Sequence, residues 1–554
     1  IAYDIKDYPS TENFGDERKN YYKEDIYVGY RYFESFAKDK VLYPFGFGLS
    51  YTAFEIASAI TDVTENAITV EAVVKTGDTA GKEVVEVYVE APQGMLGKPS
   101  RVLAGFAKTQ VIAPEEEEKV TIVIPKKAYA SYDDSGVTGH KDSFLLEAGS
   151  YKIYAGADVR TAALAGSYEQ ELKVIEQLEE ACAPSEQFER MTRDADGTLV
   201  YKKIPAREFG PYDRIEKPEE IAYTGDKGYK LADVYNKKIT MDEFIAQLSD
   251  EQLIMLFHAE GMCSPKVTAG TACAFGGLTE ELRALGIPAT CTTDGPSGLR
   301  MDCGTKAFSL PNGTLIGCTF DLELAQKLYE MTGYELRKNR VDSLLGPGMN
   351  IHRNPLNGRN FEYISEDPLV TGKMAAAQIK GLGIVGSTGT IKHFATNNQE
   401  HKRREVEAVV SVRALREIYL RGYEIAVREG HARSVMTTYG PINGLWTASN
   451  YDLNTIVLRK DWGFTGIVMT DWWAAGSDEN RAGMVEAQND MYMVTSDCTD
   501  LAQDNVKEAL ENGRITRGML QRNARNILGF ILQSPAMLYE MDMISEEEIA
   551  DAKS

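Results

Sequence analysis

The sequence predicts a multidomain chain that combines α/β and all-β architecture, with a β-sandwich placed before an α/β barrel. Three observations carry this. The chain has 554 residues, too many for one hydrophobic core when a domain takes roughly 150. From about residue 53 to 175, apolar residues recur with period two between Gly, Pro and Asp turns, as half-buried strands do. From about 239 to 532, strand-like and helix-like segments alternate, as in an α/β fold.

The elements follow in order. Residues 1–52 are rich in Tyr, Asp and Lys and end in Tyr43-Pro44-Phe45-Gly46-Phe47-Gly48-Leu49-Ser50-Tyr51-Thr52. Too short for a domain, they read as the tail of a larger unit. Residues 53–176 form the sandwich. In Ile68-Thr69-Val70-Glu71-Ala72-Val73-Val74 the even positions are apolar, and in Val85-Glu86-Val87-Tyr88-Val89-Glu90 the valines share one face. Further strands are expected at 119–124 and 151–154. Residues 177–235 mix charged stretches with Pro184, Pro205, Pro211 and Pro218 and show no long period, so they read as a connector. Residues 236–535 form the barrel. There, 412–429 puts Leu415, Ile418, Tyr419, Gly422 and Ile425 on one helical face. Residues 434–439 read as a strand, 453–460 as a helix and 466–470 as an apolar strand. Residues 536–554 are left as a C-terminal tail.

The net charge of −23 repels phosphate backbones and anionic lipids, which excludes nucleic acid and membrane as expected partners. It suits a neutral ligand such as a sugar, and equally a generic acidic surface. No apolar run approaches the ~18 residues of a membrane helix. Ile1-Ala2-Tyr3-Asp4 has neither an initiator Met nor the basic and apolar regions of a signal peptide, so the start is expected upstream. Seven cysteines, an odd count with no CxxC pair, read as free thiols and favour a cytoplasmic over a secreted location. Gly46-Phe47-Gly48 lacks the following GK[ST] or GxxG of a phosphate loop. Neither metal nor organic cofactor is expected.

Chemistry is sought where strands end. Ile467-Val468-Met469-Thr470-Asp471-Trp472-Trp473 is an apolar strand that stops at a carboxylate followed by two indoles. A carboxylate beside aromatic faces suits attack on a sugar that stacks on the ring; alone, Asp471 also reads as a helix cap. Thr390-Ile391-Lys392-His393-Phe394 ends in two groups able to grip vicinal hydroxyls. Residues 350–362 are dense in polar side chains, including Arg359. Asp294 lies in a Gly/Pro turn after an apolar stretch, where a plain turn is the competing reading. Ser434-Val435-Met436-Thr437-Thr438-Tyr439 brings Met436 and Tyr439 to one more strand end. Five strand ends delivering polar groups point to one pocket at the C-terminal face of a barrel.

The strings TDGPSGLR, GPGMNIHRNPLNGRNFEYISEDP, TIKHFATNNQ and GIVMTDWW resemble, in order, the barrel motifs of the β-glucosidase branch of glycoside hydrolase family 3. YPFGFGLSYTAF resembles the end of that family's α/β sandwich domain, and AGKEVVEVYV, RVLAGFAK and GSYKIYAGAD resemble its fibronectin type III-like domain. The resemblance implies a (β/α)8-type barrel, a fibronectin type III-like sandwich and the tail of an α/β sandwich domain, in a permuted order with the barrel last. It implies Asp471 as the nucleophile and Asp294, Arg359, Lys392, His393, Arg403, Met436, Tyr439 and Trp472 as ligands of the sugar hydroxyls. The family's general acid/base, a Glu, is expected roughly 100 residues before the PFGFGLSYT segment, hence before Ile1; Glu12, Glu17 and Glu24 lie too close to it.

The implied reaction is retaining hydrolysis of terminal β-D-glucose from oligosaccharides or from aryl and alkyl glucosides, through a covalent glycosyl-Asp471. A β-xylosidase or a dual enzyme is the alternative, because a pocket discriminates one hydroxymethyl group poorly. An inactive sugar-binding protein is the non-enzyme alternative. The β-N-acetylglucosaminidase branch carries a Gly-rich loop with an Asp-His pair after the Lys-His strand, where this chain has Phe394-Ala395-Thr396-Asn397-Asn398. The expected partners are the glycoside and the rest of the α/β sandwich domain, with homodimerisation left open.

Overall fold

Period-two sequence becomes a layered all-β unit. In the computed structural model, which describes residues 1–474 and 477–544, Phe54–Val63, Ala67–Thr76 and Glu117–Pro125 form one antiparallel sheet. Ala163–Gln170, Gly149–Gly156, Val84–Glu90 and Val102–Lys108 form another. The even positions Ile68, Val70, Ala72 and Val74 are buried between the layers, where burial of each Ile or Val side chain contributes about 1.5–3 kcal/mol. Val85, Val87 and Val89 do share a face, but the other face is also covered, since Glu86 and Tyr88 are buried. Tyr88 belongs to the cluster that includes Tyr30 and the barrel helices. Burial pushes the Glu86 carboxyl well above its usual range.

The stretch read as a connector holds a hairpin, Glu189–Arg193 paired with Leu199–Lys203. Both faces of its first strand are covered, Arg190 and Thr192 on one and Met191 on the other. Arg190 donates to both carboxylate oxygens of Asp134, at 2.7 and 2.9 Å. A strand that buries an ion pair carries no hydrophobic alternation, which is why periodicity does not reveal it. In the expected tail, Pro535–Glu540 is helical, while residues 545–554 lie outside the described ones.

Among the described residues, eight strands form one sheet in chain order: His258–Glu260, Cys273–Gly276, Ala289–Thr293, Ser343–Leu344, Thr388–Phe394, Ser434–Thr437, Ile467–Met469 and Tyr492–Thr495. The eighth pairs with the first, and a Met469–Met491 bridge nearly closes the ring between seventh and eighth. The expected (β/α)8-type barrel needs one correction: the second strand runs antiparallel to both neighbours. Residues 261–272, between the first strand and the second, hold turns and no helix, and a hairpin connection reverses direction. A hydroxyl layer crosses the interior, Ser343 Oγ to Thr390 Oγ1 to Ser434 Oγ, each step 2.9 Å. Helices Leu322–Lys338 and Pro368–Gly383 cover the outside. The face predicted for 412–429 is buried, although Leu415–Tyr419 is wound as a wider π turn between two α-helical segments. No helix among the described residues is long and apolar enough to cross a membrane.

Residues 1–52 are pinned on the barrel. Lys19–Tyr21 pairs in parallel with Glu407–Val409. Arg353, fully buried, lies 3.8 Å over the Tyr22 ring and binds both oxygens of Glu24, Asn20 Oδ1 at 2.9 Å and Asn13 Oδ1 at 3.0 Å. Removing one partner strands a buried charge, which costs about 3–5 kcal/mol. Glu24→Ala is therefore expected to lower the unfolding free energy by about that amount, read as a fall in the urea midpoint. A midpoint unchanged from wild type would show that the pair holds nothing together.

Candidate active site

The C-terminal ends of the strands open on a cleft of about 350 Å³, lined by Met262, Ala272, Asp294, Arg300, Asp302, Leu345, Arg359, Lys392, His393, Arg403, Met436, Tyr439, Asp471, Trp472 and Trp473. All nine residues named from the sequence are among them. Those missed are Met262, Ala272, Arg300, Asp302, Leu345, Trp473 and, behind the wall, Glu362. A wider hollow of about 610 Å³ on the outer wall contains Arg283 and Asp342. Two of its polar groups are bound to backbone, with Asp342 accepting from Cys291 N and Ala536 N and Arg283 donating to Gly277 O, and Lys266 is paired with Glu260. We place the chemistry in the smaller cleft.

Asp294 follows the third strand in a turn that needs Gly295 and Gly298 at φ +113° and +115°. A Cβ on either would fall within 2.1 Å of a carbonyl oxygen, so this turn admits only glycine. Asp294 is both a turn residue and a ligand-ready carboxylate: its Oδ1 accepts from Lys392 Nζ at 3.1 Å, and Arg300 approaches its Oδ2 at 3.7 Å. Burial favours its neutral form, but Lys392 outweighs burial and holds the carboxyl below its usual range. Burial likewise opposes charge on Lys392, yet Asp294 and Glu362 overcome it and keep the ammonium above its ordinary pKa.

Lys392 and His393 are adjacent, and in a regular strand neighbours point to opposite faces. Both line the cleft because the register against the next strand breaks between Ile391 and Phe394, an irregularity of the kind that re-aims side chains beside active sites. His393 is buried, and burial, reinforced by Arg359, Lys392 and Arg403, drives its pKa well below the ordinary value. The imidazole is neutral at neutral pH, with Nε2 3.6 Å from Asp471 Oδ2. Arg359 forks onto Glu362, Nε to Oε2 at 2.7 Å and Nη2 to Oε1 at 2.8 Å. Arg403 donates to Glu400 at 2.9 Å and lies 4.7 Å over the Tyr439 ring.

Asp471 sits just beyond Ile467–Met469, and its Oδ1 accepts from Trp472 N at 2.7 Å. Burial raises its pKa; the Trp472 amide, Arg359, Lys392 and Tyr439 pull the other way without cancelling it. Trp472 is fixed by Nε1 donating to Ala272 O at 3.1 Å. Trp473 adopts φ +48° and stands half exposed at the mouth, an orientation that no periodicity announces. The arrangement sets the Asp471 carboxylate among cationic and neutral donors beside an aromatic wall. Glu260, Asp497 and Cys498 bring ligand atoms together near the rim. The Lys266 ammonium already occupies Glu260, and Asp497 accepts from Thr499, so these carboxylates have protein partners.

Residues 226–530 match the family described as Glycosyl hydrolase family 3 N terminal domain, and residues 83–159 match the Fibronectin type III-like domain. A β-glucosidase of Ruminococcus albus is 57% identical over 553 residues, spanning 97% of this chain and 58% of that protein. Beta-glucosidase A of Butyrivibrio fibrisolvens is 37% identical over 562 residues, spanning 92% and 65%. A solved β-glucosidase from Paenibacillus barengoltzii superposes with a TM-score of 0.94 at 50% identity, over 97% of this chain and 61% of that one. The chain thus spans about three fifths of the length of these relatives. With its barrel matched across more than half of its residues, the chain belongs to glycosyl hydrolase family 3.

Proposed function

We propose that this chain supplies the sugar pocket and nucleophile of a retaining β-glucosidase, with Asp471 forming a covalent glycosyl ester at C1 of a terminal β-D-glucose. The observation that carries the reading is Asp471 itself: a buried carboxylate held by Trp472 N–H, 3.6 Å from a neutral imidazole, at the base of a polar cleft. Asp294 accepts from sugar hydroxyls, while Lys392, His393, Arg359 and Arg403 donate to them, and Trp472 offers a flat face. Met436 and Tyr439 close the wall around C1. The β-glucosidase relatives support glucose as the sugar.

Retaining hydrolysis also needs an acid about 5–5.5 Å from the nucleophile. Among the described residues, the other carboxylates lining the cleft are Asp294, bound to Lys392, and Asp302, bound to Arg300 at 3.0 Å. Glu24 is enclosed with Arg353. The resemblance to the family implies that the acid is a Glu of the α/β sandwich domain, upstream of the PFGFGLSYT segment. Without it, hydrolysis of unactivated glucosides loses about 10²–10⁴-fold.

An activated 2-deoxy-2-fluoro-β-glucoside has a leaving group that departs without acid help. Incubation is expected to add one fluoroglucosyl group to the peptide containing Asp471, seen by mass spectrometry, and Asp471→Asn is expected to abolish it. Absence of the adduct from folded protein and from a form carrying the whole sandwich domain would overturn the assignment. An adduct from the xyloside analogue alone would replace glucose by xylose.

The raised pKa of Asp471 sets a pH dependence of stability. The folded state holds the proton more tightly than the unfolded one, so stability declines as pH rises from about 3.9 through the folded pKa. Asp471→Asn removes the ionisation, so it is expected to raise Tm at pH 7 and to leave Tm nearly unchanged at pH 3. Equal shifts at both pH values would show that the buried charge is not what strains the site.

A further inference from the structure

We infer that Tyr363 is a positioning residue that holds His393 as the Nε2–H tautomer, so that the imidazole presents a donor to the cleft. The inference rests on the sugar-pocket reading of that cleft, but its evidence is a chain of hydrogen bonds behind the wall, and each link has a forced direction.

The chain begins at Glu400, whose Oε2 accepts from Arg403 at 2.9 Å. Its Oε1 lies 3.0 Å from the Asn397 amide. A carboxylate only accepts, so the Asn397 atom facing it is the NH2 group, which settles the amide orientation. The same Nδ2 lies 2.8 Å from Tyr363 Oη and donates to it. The remaining neighbour of that hydroxyl is His393 Nδ1, at 3.1 Å. Its own proton points there, and Nδ1 must be the bare, accepting nitrogen. A neutral imidazole carries its single proton on the other nitrogen, and that nitrogen, Nε2, is the one 3.6 Å from Asp471 Oδ2.

Burial and geometry leave little freedom for a different arrangement. Tyr363 is fully buried, with its ring edge-on to the imidazole at 6.1 Å. The His393 backbone is clamped independently: Asn350 Oδ1 accepts from its N–H at 2.9 Å, while Asn350 Nδ2 and Tyr423 Oη donate to its carbonyl at 2.9 and 2.8 Å. Those bonds fix where the ring is, and Tyr363 decides which nitrogen bears the proton. The alternative tautomer would aim a lone pair at the Asp471 carboxylate, and a sugar hydroxyl would meet an acceptor where the cleft needs a donor. The role parallels the partners that fix the tautomer of metal-bound histidines, here with a hydroxyl in place of a carboxylate and a nucleophile in place of the metal.

The test uses this chain with histidine nitrogens labelled, and reads the His393 ring by long-range proton–nitrogen correlation NMR. The protein has six histidines, and His393→Gln identifies the signal. In wild type, Nδ1 is expected at the pyridine-type shift and Nε2 at the pyrrole-type shift, without averaging. Tyr363→Phe removes only the hydroxyl and is expected to move both shifts toward an average, while the other five histidines keep theirs as a check on folding. Asn397→Leu is expected to do the same in part, because the tyrosine hydroxyl then turns either way. A protonated Nδ1 in wild type would overturn the proposal, whatever the variants do. An unaltered Nε2–H signature in folded Tyr363→Phe would remove Tyr363 from the role. The measurement is made with the cleft empty, so failure to form a glucosyl adduct would refute the sugar reading and leave the tautomer result standing.

Discussion

The buried ammonium of Lys392 is the interaction on which the cleft depends. It joins three strand ends, binding Asp294 after the third strand at 3.1 Å and facing Glu362 of the fourth-strand loop at 3.6 Å. Its carbonyl accepts from Met349 N at 2.7 Å and its amide donates to Pro347 O at 3.1 Å. Two carboxylates against Lys392 and Arg359 leave the inner wall balanced before any ligand enters. Lys392 and Glu362 are buried and each is paired, the condition under which a buried charge is tolerated, while Asp294 and Arg359 are part-exposed on the cleft side. Asp471 departs from that balance, since no cation touches it directly. It is held instead by the Trp472 amide and the Tyr439 hydroxyl, with the neutral His393 ring beside it. The free energy that pairing would have supplied is left available to the chemistry.

The fold was legible where burial is one-sided. Period two in Ala67–Thr76 and the apolar face of 412–429 both translate directly into what is covered. Legibility failed where a strand buries charge, as Arg190 does in the hairpin, and where direction rather than residue type matters, as in the reversed second strand. The candidate site divides the same way. Asp471, Lys392 and His393 announce themselves because ionisable groups closing an apolar run have few other uses. Glu362 and Tyr363 do not, because their work is done on other side chains rather than on the strand's open end. Trp473 and the loop residue Met262 reach the cleft by backbone excursions that spacing alone cannot encode.

The two lower layers of the site serve separate purposes. Arg359–Glu362 and Lys392–Asp294 set the charge of the cleft, whereas the Glu400–Asn397–Tyr363 line sets the direction of one proton. Arg403 belongs to both, facing the cleft and anchoring Glu400. The loop that bears Arg359, Glu362 and Tyr363 is the one that Arg353 ties to residues 13–24. Cleft electrostatics and attachment of the N-terminal segment are thus built on one stretch of backbone.

That attachment has a consequence for how the molecule is made. Glu24 and Arg353 are 329 residues apart, so at ~5–20 residues per second the ribosome emits the partner roughly 15–65 s after the segment. During that interval Tyr22, Ile26 and Tyr27, buried in the finished protein, have no barrel to cover them. The sandwich, whose strand pairings lie within residues 54–177, can fold well before then and offers the segment its first neighbour through Tyr30 against Tyr88. The early residues are thus held beside a finished β unit while they wait for the barrel. The segment is made before the barrel and completes its packing only when the barrel arrives.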